Sequence, residues 1–341
     1  MQGIVFNGGR VLDLREFDDP SAGPGEVVVA IKASGMCGSD LHHYRGAEHM
    51  PAGFESFIGG HEPAGTVHSV GPGVSSHLAE VGRRVMVHHY RGCTACPSCR
   101  SGWPQMCTGA DGILYGTTAH GSHAQFMVVS AASLVPLDPG LSFAAGAAIG
   151  CGTGTAWGGL RRLGDVGGRT IAIFGQGPVG LSATILATAL GAQVVAVDIE
   201  PARLEMARAF GAVEVVNARQ TAVVEAVKTA VRGGVQLSLE TSGAAQAADA
   251  AVEVLEPWGR GCFVGLGATA SLDVFGHLRR QLTIMTSWTM SIVDLAACAN
   301  FVVSRELPID ELFTHRWRLD QAREAYAEFD RQSSGKGVFL L

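Results

Sequence analysis

The sequence predicts an α/β protein in two parts, an antiparallel, barrel-like β domain followed by a doubly wound sheet of six parallel strands. Three observations predict it. The chain has 341 residues, about right for two domains. Residues 1 to about 150 read as short apolar runs (26–33, 64–70, 84–88, 124–129) broken by Gly and Pro, the pattern of antiparallel strands. From about Arg169, apolar runs at 170–174, 193–197, 213–216, 237–240, 261–264 and 283–285 alternate with helix-length segments at 178–190, 201–210, 218–232 and 244–255. Strand–helix alternation of that kind makes a parallel sheet with helices on both faces. The expected bounds are 1–152 for the first domain, with a cysteine-rich lobe at 91–110, and 153–290 for the second. A tail at 291–341 starts helical and is expected to return to the first domain through the run 337–341.

Composition narrows the function. Hydrophobic residues make up 47% and charged ones 16%, so the chain is core-rich and globular. Its net charge is −6 and its lysines are Lys32, Lys228 and Lys336, which leaves no basic footprint for nucleic acid. The most apolar stretch, 181–197, is interrupted by Thr184, Thr188, Gly191 and Gln193, and reads as a buried helix and strand rather than a membrane span. The opening MQGIVFNGGR has no apolar core of a signal peptide, so a cytoplasmic protein is expected. Glycine is dense at 152–168 and 259–267, where tight turns and close approach of a ligand are expected.

Cys93, Cys96, Cys99 and Cys107 follow the spacing C-x2-C-x2-C-x7-C. Disulfides need an oxidising compartment, which the N-terminus does not indicate. A ferredoxin-type cluster is the other alternative, but its fourth cysteine comes sooner and precedes Pro. Four thiolates at this spacing fit a structural zinc, with every position filled by protein.

Gly175-Gln176-Gly177-Pro178-Val179-Gly180 matches G-x-G-x-x-G, directly after the apolar run TIAIF and at the start of a helical segment. Gly175 allows the turn, Gly177 lets backbone approach a pyrophosphate, and Gly180 lets the helix pack on its strand. The helix start favours the phosphate charge. Asp198 ends the next strand, about 20 residues on, where an acid meets the adenosine ribose and repels a 2′-phosphate. NAD is therefore expected. Arg203 flanks the adenosine; its reach toward a 2′-phosphate keeps NADP as the alternative. Gly265 and Leu266 are further expected cofactor contacts.

A second ligand set is scattered: Cys37 in MCGSDLH, His61 in GGHEP and Cys151 in IGCGTGT. Two thiolates and an imidazole make a three-ligand zinc site with its fourth position open, a set for which alcohol dehydrogenase is the standard example. On these residues, together with Gly65, Thr155, the four-cysteine lobe, the glycine motif and Asp198, the chain resembles the zinc-containing medium-chain alcohol dehydrogenases over nearly its full length. The resemblance implies a GroES-like β-barrel catalytic domain joined to a Rossmann domain, two zinc ions per subunit, NAD, and a homo-oligomer, with a tetramer favoured over a dimer. It also implies site roles. Cys37, His61 and Cys151 hold the catalytic zinc; Ser39 takes the substrate proton and His42 relays it to solvent. Asp40 orients the His61 ring, Glu62 modulates the zinc, and Thr155 and Val179 touch the nicotinamide.

The reaction so implied is reversible oxidation of a primary or secondary alcohol, its acidity raised by zinc and its hydride passed to NAD. Polyol and threonine dehydrogenases on the same scaffold are the alternative, because Cys37-Gly38-Ser39-Asp40 resembles theirs while Cys151 resembles the alcohol dehydrogenase choice. Zinc-free quinone reductases and a non-catalytic zinc protein are the more distant readings. Cys262 and Cys298 read as inert buried thiols. His43, His49, His88 and His89 read as structural or pocket-lining, with His89 facing the substrate cleft.

Overall fold

The computed structural model describes residues 1–46, 57–109, 112–333 and 335–341. They form two compact units. One comprises Met1–Cys151, Ser291–Gln332 and Lys336–Leu341; the other comprises Gly152–Met290 and Ser333–Gly335.

The first unit is built on a seven-stranded sheet. Its strands run in the order Phe313–Trp317, Lys336–Leu340, Glu26–Gly35, Glu62–Val70, Arg84–Val87 and Leu134–Pro136, with Phe126–Ser130 also pairing Glu26–Gly35. All pairs are antiparallel except Phe313–Trp317 with Lys336–Leu340. Alternation along Glu26–Gly35 sends Val27, Val29 and Ile31 to one face, where they pack with Val67, Val85, Val87, Met127 and Val129. Burying each such side chain contributes about 1.5–3 kcal/mol. A second core gathers Ile4, Phe6, Met36, Leu41 and Tyr44 around Tyr326, Phe329 and Phe339. The Phe6 and Tyr326 rings meet edge to face at 4.9 Å. This core seats the short helix Gly38–Arg45, which carries Ser39 and Asp40. The tail begins with the helix Ile292–Ser304, capped by Ser291, and ends with Val338 opposite Gly35.

The second unit is a six-stranded parallel sheet. Its spatial order is Glu214–Asn217, Gln193–Asp198, Thr170–Phe174, Val235–Glu240, Leu255–Phe263 and Thr283–Thr286. The order reverses beside Thr170–Phe174, where ligands bind such sheets. Two elements differ from expectation. The helix expected over 218–232 is confined to Val223–Ala230, because Asn217 accepts from the Arg219 N–H and the Thr221 hydroxyl and bends the chain into a turn. The strand expected from 261 begins at Leu255. Its register with Val235–Glu240 shifts across a bulge containing Trp258, which has a φ of +67°.

Candidate metal centres and dinucleotide site

Cys93, Cys96, Cys99 and Cys107 bring four sulfurs within 4.8 Å of one another. Cys93 Sγ is 4.0 Å from Cys99 Sγ, and Cys96 Sγ is 4.0 Å from Cys107 Sγ. A tetrahedron of zinc–sulfur bonds about 2.3 Å long has edges of about 3.8 Å. The spacing is too wide for a disulfide and too tight for a cluster whose thiolates sit on separate irons. The Cys93, Cys96 and Gly109 N–H groups each donate to a sulfur at 3.3 Å. Backbone N–H groups of Cys99 and Thr108 hold the Cys96 thiol down to about 6. Burial pushes Cys99 up to about 12, so the fourth thiolate forms most readily with a cation present. A Cβ on Gly92 would lie 2.3 Å from Cys99 Sγ; glycine there makes room for the sulfur. Residue 110, the expected end of the lobe, is outside the described residues.

The second cluster brings Cys37, His61, Glu62 and Cys151 within the same 4.8 Å. Cys37 precedes the helix Gly38–Arg45, His61 leads into the strand Glu62–Val70, and Cys151 lies inside a single π-helical turn, Ile149–Thr153. Such turns are rare and frequent at functional sites. Cys37 Sγ and Cys151 Sγ are 3.9 Å apart. Asp40 is buried, and both its oxygens are engaged. Oδ1 accepts from His61 Nδ1 at 3.0 Å, and Oδ2 accepts from the Cys37 N–H at 2.9 Å. With Nδ1 donating, Nε2 presents a lone pair beside Ser39 Oγ at 3.2 Å.

The electrostatics ask for a cation. The hydrogen bond from Cys151 pulls the Cys37 thiol well down against burial, and the same bond pushes Cys151 well up, so the free pair shares one proton. Burial pushes His61 down, but Asp40 and Cys37 outweigh it and hold it well above the usual range. Donor type, spacing and charge fit zinc in both clusters.

His42 is exposed on the same helix, and no hydrogen bond joins it to Ser39 among the described residues. Glu62 is fully buried; burial raises its carboxyl to about 8, against the pull of Lys336, whose Nζ is 2.5 Å away. Lys336 carries no local sequence signal, and sequence reasoning missed it. His89 is buried, with its ring 5.4 Å from that of His61 and Nδ1 donating to the Gly150 carbonyl at 3.1 Å. His88 stacks on His89. His43 is half-buried, and His49 lies outside the described residues. Sequence reasoning also missed His123. It is buried, with Nδ1 at 2.7 Å from Ser34 Oγ and Nε2 at 2.7 Å from the Tyr326 hydroxyl. A Cβ on Gly60 (φ +84°) would strike this ring, so His123 lies flat on the backbone just before His61. Burial lowers His123 to about 4. Cys262 and Cys298 are fully buried thiols.

In the second unit, Gly175 makes the turn after Thr170–Phe174 with φ +84°. A Cβ on Gly180 would lie 1.8 Å from the Gly175 carbonyl oxygen, whereas a Cβ on Gly177 would meet nothing within 4 Å. The space over Gly177 is open to a pyrophosphate, beside the start of the helix Pro178–Ala189. Pro178 occupies the first turn of that helix, and Val179 follows half-buried. Asp198 Oδ1 accepts from the Ile199 and Glu200 N–H groups at 2.7 and 2.8 Å, and Oδ2 accepts from the Gln176 N–H at 2.5 Å. It therefore ties the glycine-rich turn to the next strand end. Arg203 is buried behind it, lowered by burial against the pull of Asp198. Gly265 packs on Glu240, which accepts from Ser242 and Gly243, and Leu266 is exposed beside it. Thr155 is buried at the start of the helix Gly154–Leu163.

The chain is similar to known proteins over nearly its whole length. Residues 23–139 match the alcohol dehydrogenase GroES-like domain, and residues 178–304 match the zinc-binding dehydrogenase domain. The chain is 35% identical to the uncharacterized zinc-type alcohol dehydrogenase-like protein YphC of Escherichia coli K12, covering 99% of this chain and 98% of that one. It is 32% identical to the L-threonine 3-dehydrogenase of Pyrococcus abyssi, covering 96% and 95%. Among solved structures, the alcohol dehydrogenase TADH of Thermus sp. ATN1 superposes with a TM-score of 0.92 at 29% identity, covering 100% and 99%. An NAD-dependent alcohol dehydrogenase superposes with a TM-score of 0.88 at 26% identity, covering 100% of both chains.

Proposed function

The chain belongs to the zinc-containing medium-chain alcohol dehydrogenase family, and from that premise we propose that Cys37, His61 and Cys151 hold its catalytic zinc while Ser39 receives the proton of the alcohol. The protein is an NAD-dependent zinc oxidoreductase acting on CH–OH. The observation that carries the proposal is the convergence of two thiolates and the Asp40-oriented imidazole within 4.8 Å. When bound, zinc supplies a Lewis acid that raises the acidity of an alcohol, and NAD supplies the hydride acceptor.

The chain's own residues do the rest. Asp40 fixes the His61 tautomer. Ser39 Oγ stands beside the His61 ring, placed to take the alcohol hydrogen. His42, exposed one helical turn on, passes it to solvent through water. Gly175, Gly177, Pro178 and Gly180 cradle the pyrophosphate. Asp198 selects the ribose hydroxyls of NAD over a 2′-phosphate, and Arg203 supports it from behind. Thr155, Val179, Gly265 and Leu266 border the nicotinamide half. Cys93, Cys96, Cys99 and Cys107 hold a second zinc with no open position, giving two per subunit.

The substrate is a primary or secondary alcohol. One observation favours a polyol or L-threonine as the second reading: His89 donates through Nδ1 to Gly150, which leaves Nε2 as an acceptor for a further polar group. We also propose a cytoplasmic homotetramer. All eight cysteines are free thiols. Val274, Phe275, Leu278 and Ile284 are exposed on and beside the edge strand Thr283–Thr286, and such an edge is normally covered. No helix among the described residues is long and apolar enough to cross a membrane.

Cys151→Ser tests the site. Metal analysis is expected to fall from two zincs to one per chain, with activity lost and circular dichroism unchanged; unchanged turnover refutes the ligand set. A panel of primary, secondary, aromatic and polyol alcohols and L-threonine with NAD, read as kcat/KM, names the substrate class. Sedimentation velocity reads the assembly.

A further inference from the structure

Glu240 closes the strand Val235–Glu240 and is 0% exposed. Its Oε1 accepts from the Ser242 N–H at 2.7 Å, the Ser242 hydroxyl at 2.5 Å and the Gly243 N–H at 3.0 Å. Oε2 accepts from the Gly243 N–H at 3.3 Å. Among the described residues no cationic side chain pairs with it. Burial raises the carboxyl above its ordinary value, and the Ser242 and Gly243 donors pull it back. A buried carboxylate without a counter-charge is costly, and donors converging on one oxygen favour its ionised form. A neutral turn-forming side chain would close the same loop without that cost, so the loop alone does not explain the charge.

What Glu240 joins does. Its carbonyl accepts from the Val264 and Gly265 N–H groups at 2.9 and 3.1 Å, so one residue ties the loop after its own strand to the loop after the neighbouring strand Leu255–Phe263. The two loops are in contact. A Cβ on Gly243 (φ +70°) would lie 2.0 Å from the Leu266 carbonyl oxygen, and one on Gly265 would lie 2.3 Å from the Gly243 nitrogen and 2.4 Å from Glu240 Oε2. The first loop also reaches the glycine-rich turn: Thr241 Oγ1 donates to the Phe174 and Gly175 carbonyls at 2.9 Å. Both loops leave the carboxyl ends of strands beside the switch point of the sheet, where ligands bind. In the proposed cofactor site the pyrophosphate lies over Gly177 and the adenosine beside Asp198, at the end of Gln193–Asp198. The nicotinamide half then lies on the other side of Thr170–Phe174, over residues 241–243 and 264–266.

We propose that Glu240 is a positioning residue for the nicotinamide half of NAD, its buried carboxylate locking the two strand-end loops into one shelf. The proposal rests on the cofactor site described above. The sheet uses a strand-end carboxylate twice. Asp198 accepts from the Gln176, Ile199 and Glu200 N–H groups and braces the adenosine side. Glu240 accepts from Ser242 and Gly243 and braces the opposite side. The two braces share no hydrogen-bond partner, so loss of the Glu240 charge loosens the shelf and leaves the adenosine and pyrophosphate contacts as they were.

The test compares two ligands by titration calorimetry on the full-length protein. ADP carries the adenosine and pyrophosphate alone; NAD adds the nicotinamide half. Glu240→Gln keeps the shape of the side chain and removes its charge. Its Kd for NAD is expected to rise by about tenfold, the scale of one lost charge-assisted hydrogen bond, while its Kd for ADP stays at the wild-type value. A merely structural role would weaken both ligands together, and that result overturns the proposal. So does a folded Glu240→Gln protein with wild-type affinity for NAD. Ser242→Ala removes one donor and leaves the charge, and it reads the same question should Glu240→Gln not fold: a smaller loss confined to NAD supports the proposal, and no loss, or an equal loss for ADP, overturns it. Wild-type protein that binds neither ADP nor NAD would instead sink the cofactor site itself, a distinguishable failure.

Discussion

Replacing Gly177 by Ala separates what the glycine-rich turn needs for folding from what it needs for binding. Gly177 has φ −72° and ψ −170°, a backbone any residue adopts, and a Cβ there meets nothing within 4 Å. Its neighbours differ: Gly175 has φ +84°, and a Cβ on Gly180 collides with the Gly175 carbonyl at 1.8 Å. The backbone itself requires those two glycines; it does not require Gly177, which the proposed site assigns to the pyrophosphate. Without cofactor, Gly177→Ala restricts the unfolded chain and stabilises by about 0.4–1 kcal/mol, raising Tm by about 1–3 °C for a unit of this size. With cofactor, a methyl in the path of the pyrophosphate costs about 1–3 kcal/mol, the range for overpacking, or about 5- to 150-fold in Kd. Thermal denaturation without NAD and titration calorimetry with NAD, on one preparation, read both sides. Weaker NAD binding with an unchanged or higher Tm is expected. Unchanged affinity, or a Tm loss matching that of Gly180→Ala, refutes the reasoning.

Three further outcomes are expected. In the proposed cofactor site, Asp198→Asn removes a charge beside the 2′ position; two phosphate charges at about 1 kcal/mol each in water amount to about 30-fold in the NADP/NAD ratio of kcat/KM, and an unchanged ratio would show that Asp198 does not choose the cofactor. Gly92→Ala places a Cβ 2.3 Å from Cys99 Sγ; the sulfur must move by more than the roughly 0.2 Å that a metal site tolerates, so plasma emission analysis should find one zinc per chain instead of two. His123, lowered to about 4 by burial, is neutral when folded, while its unfolded form charges below about pH 6.5. The unfolded state then binds more protons between those values, so stability is full above pH 6.5 and falls as pH drops toward 4, on the order of 3 kcal/mol in all. Urea unfolding of wild type and His123→Asn at pH 7 and 4.5 should show a smaller loss in the variant; equal losses contradict the assignment.

The residues that announce themselves in sequence do so through local pattern. The four-cysteine spacing, the glycine turn after an apolar strand and the alternation of strands and helices are each written within short windows. The structure places Asp198 beside the Gln176 N–H, one strand away from the turn, a relation the motif already encodes. What no window contains is pairing across the chain. Lys336 is a lone lysine near the far end, and nothing around it points to Glu62. His123 is legible only once Gly60 is seen to leave room for its ring. Local turn chemistry also outweighed pattern twice: Asn217 shortened the helix that follows it, and Trp258 with Gly259 bent an apolar run into a longer, bulged strand.

The unit that bears the proposed metal ligands draws on both ends of the chain. Lys336 meets Met36 across 300 positions, and Tyr326 meets His123 across 203. The parallel sheet comes from one nearly continuous stretch, Gly152–Met290. On the ribosome the dinucleotide unit can therefore close once residue 290 has emerged, while Cys37, His61 and Cys151 await the strands Phe313–Trp317 and Lys336–Leu340. Under the proposed assignment, each nascent chain completes its dinucleotide unit before its metal pocket. In that interval the thiols of Cys37 and Cys151, the proposed ligands, lack the two strands that complete their unit.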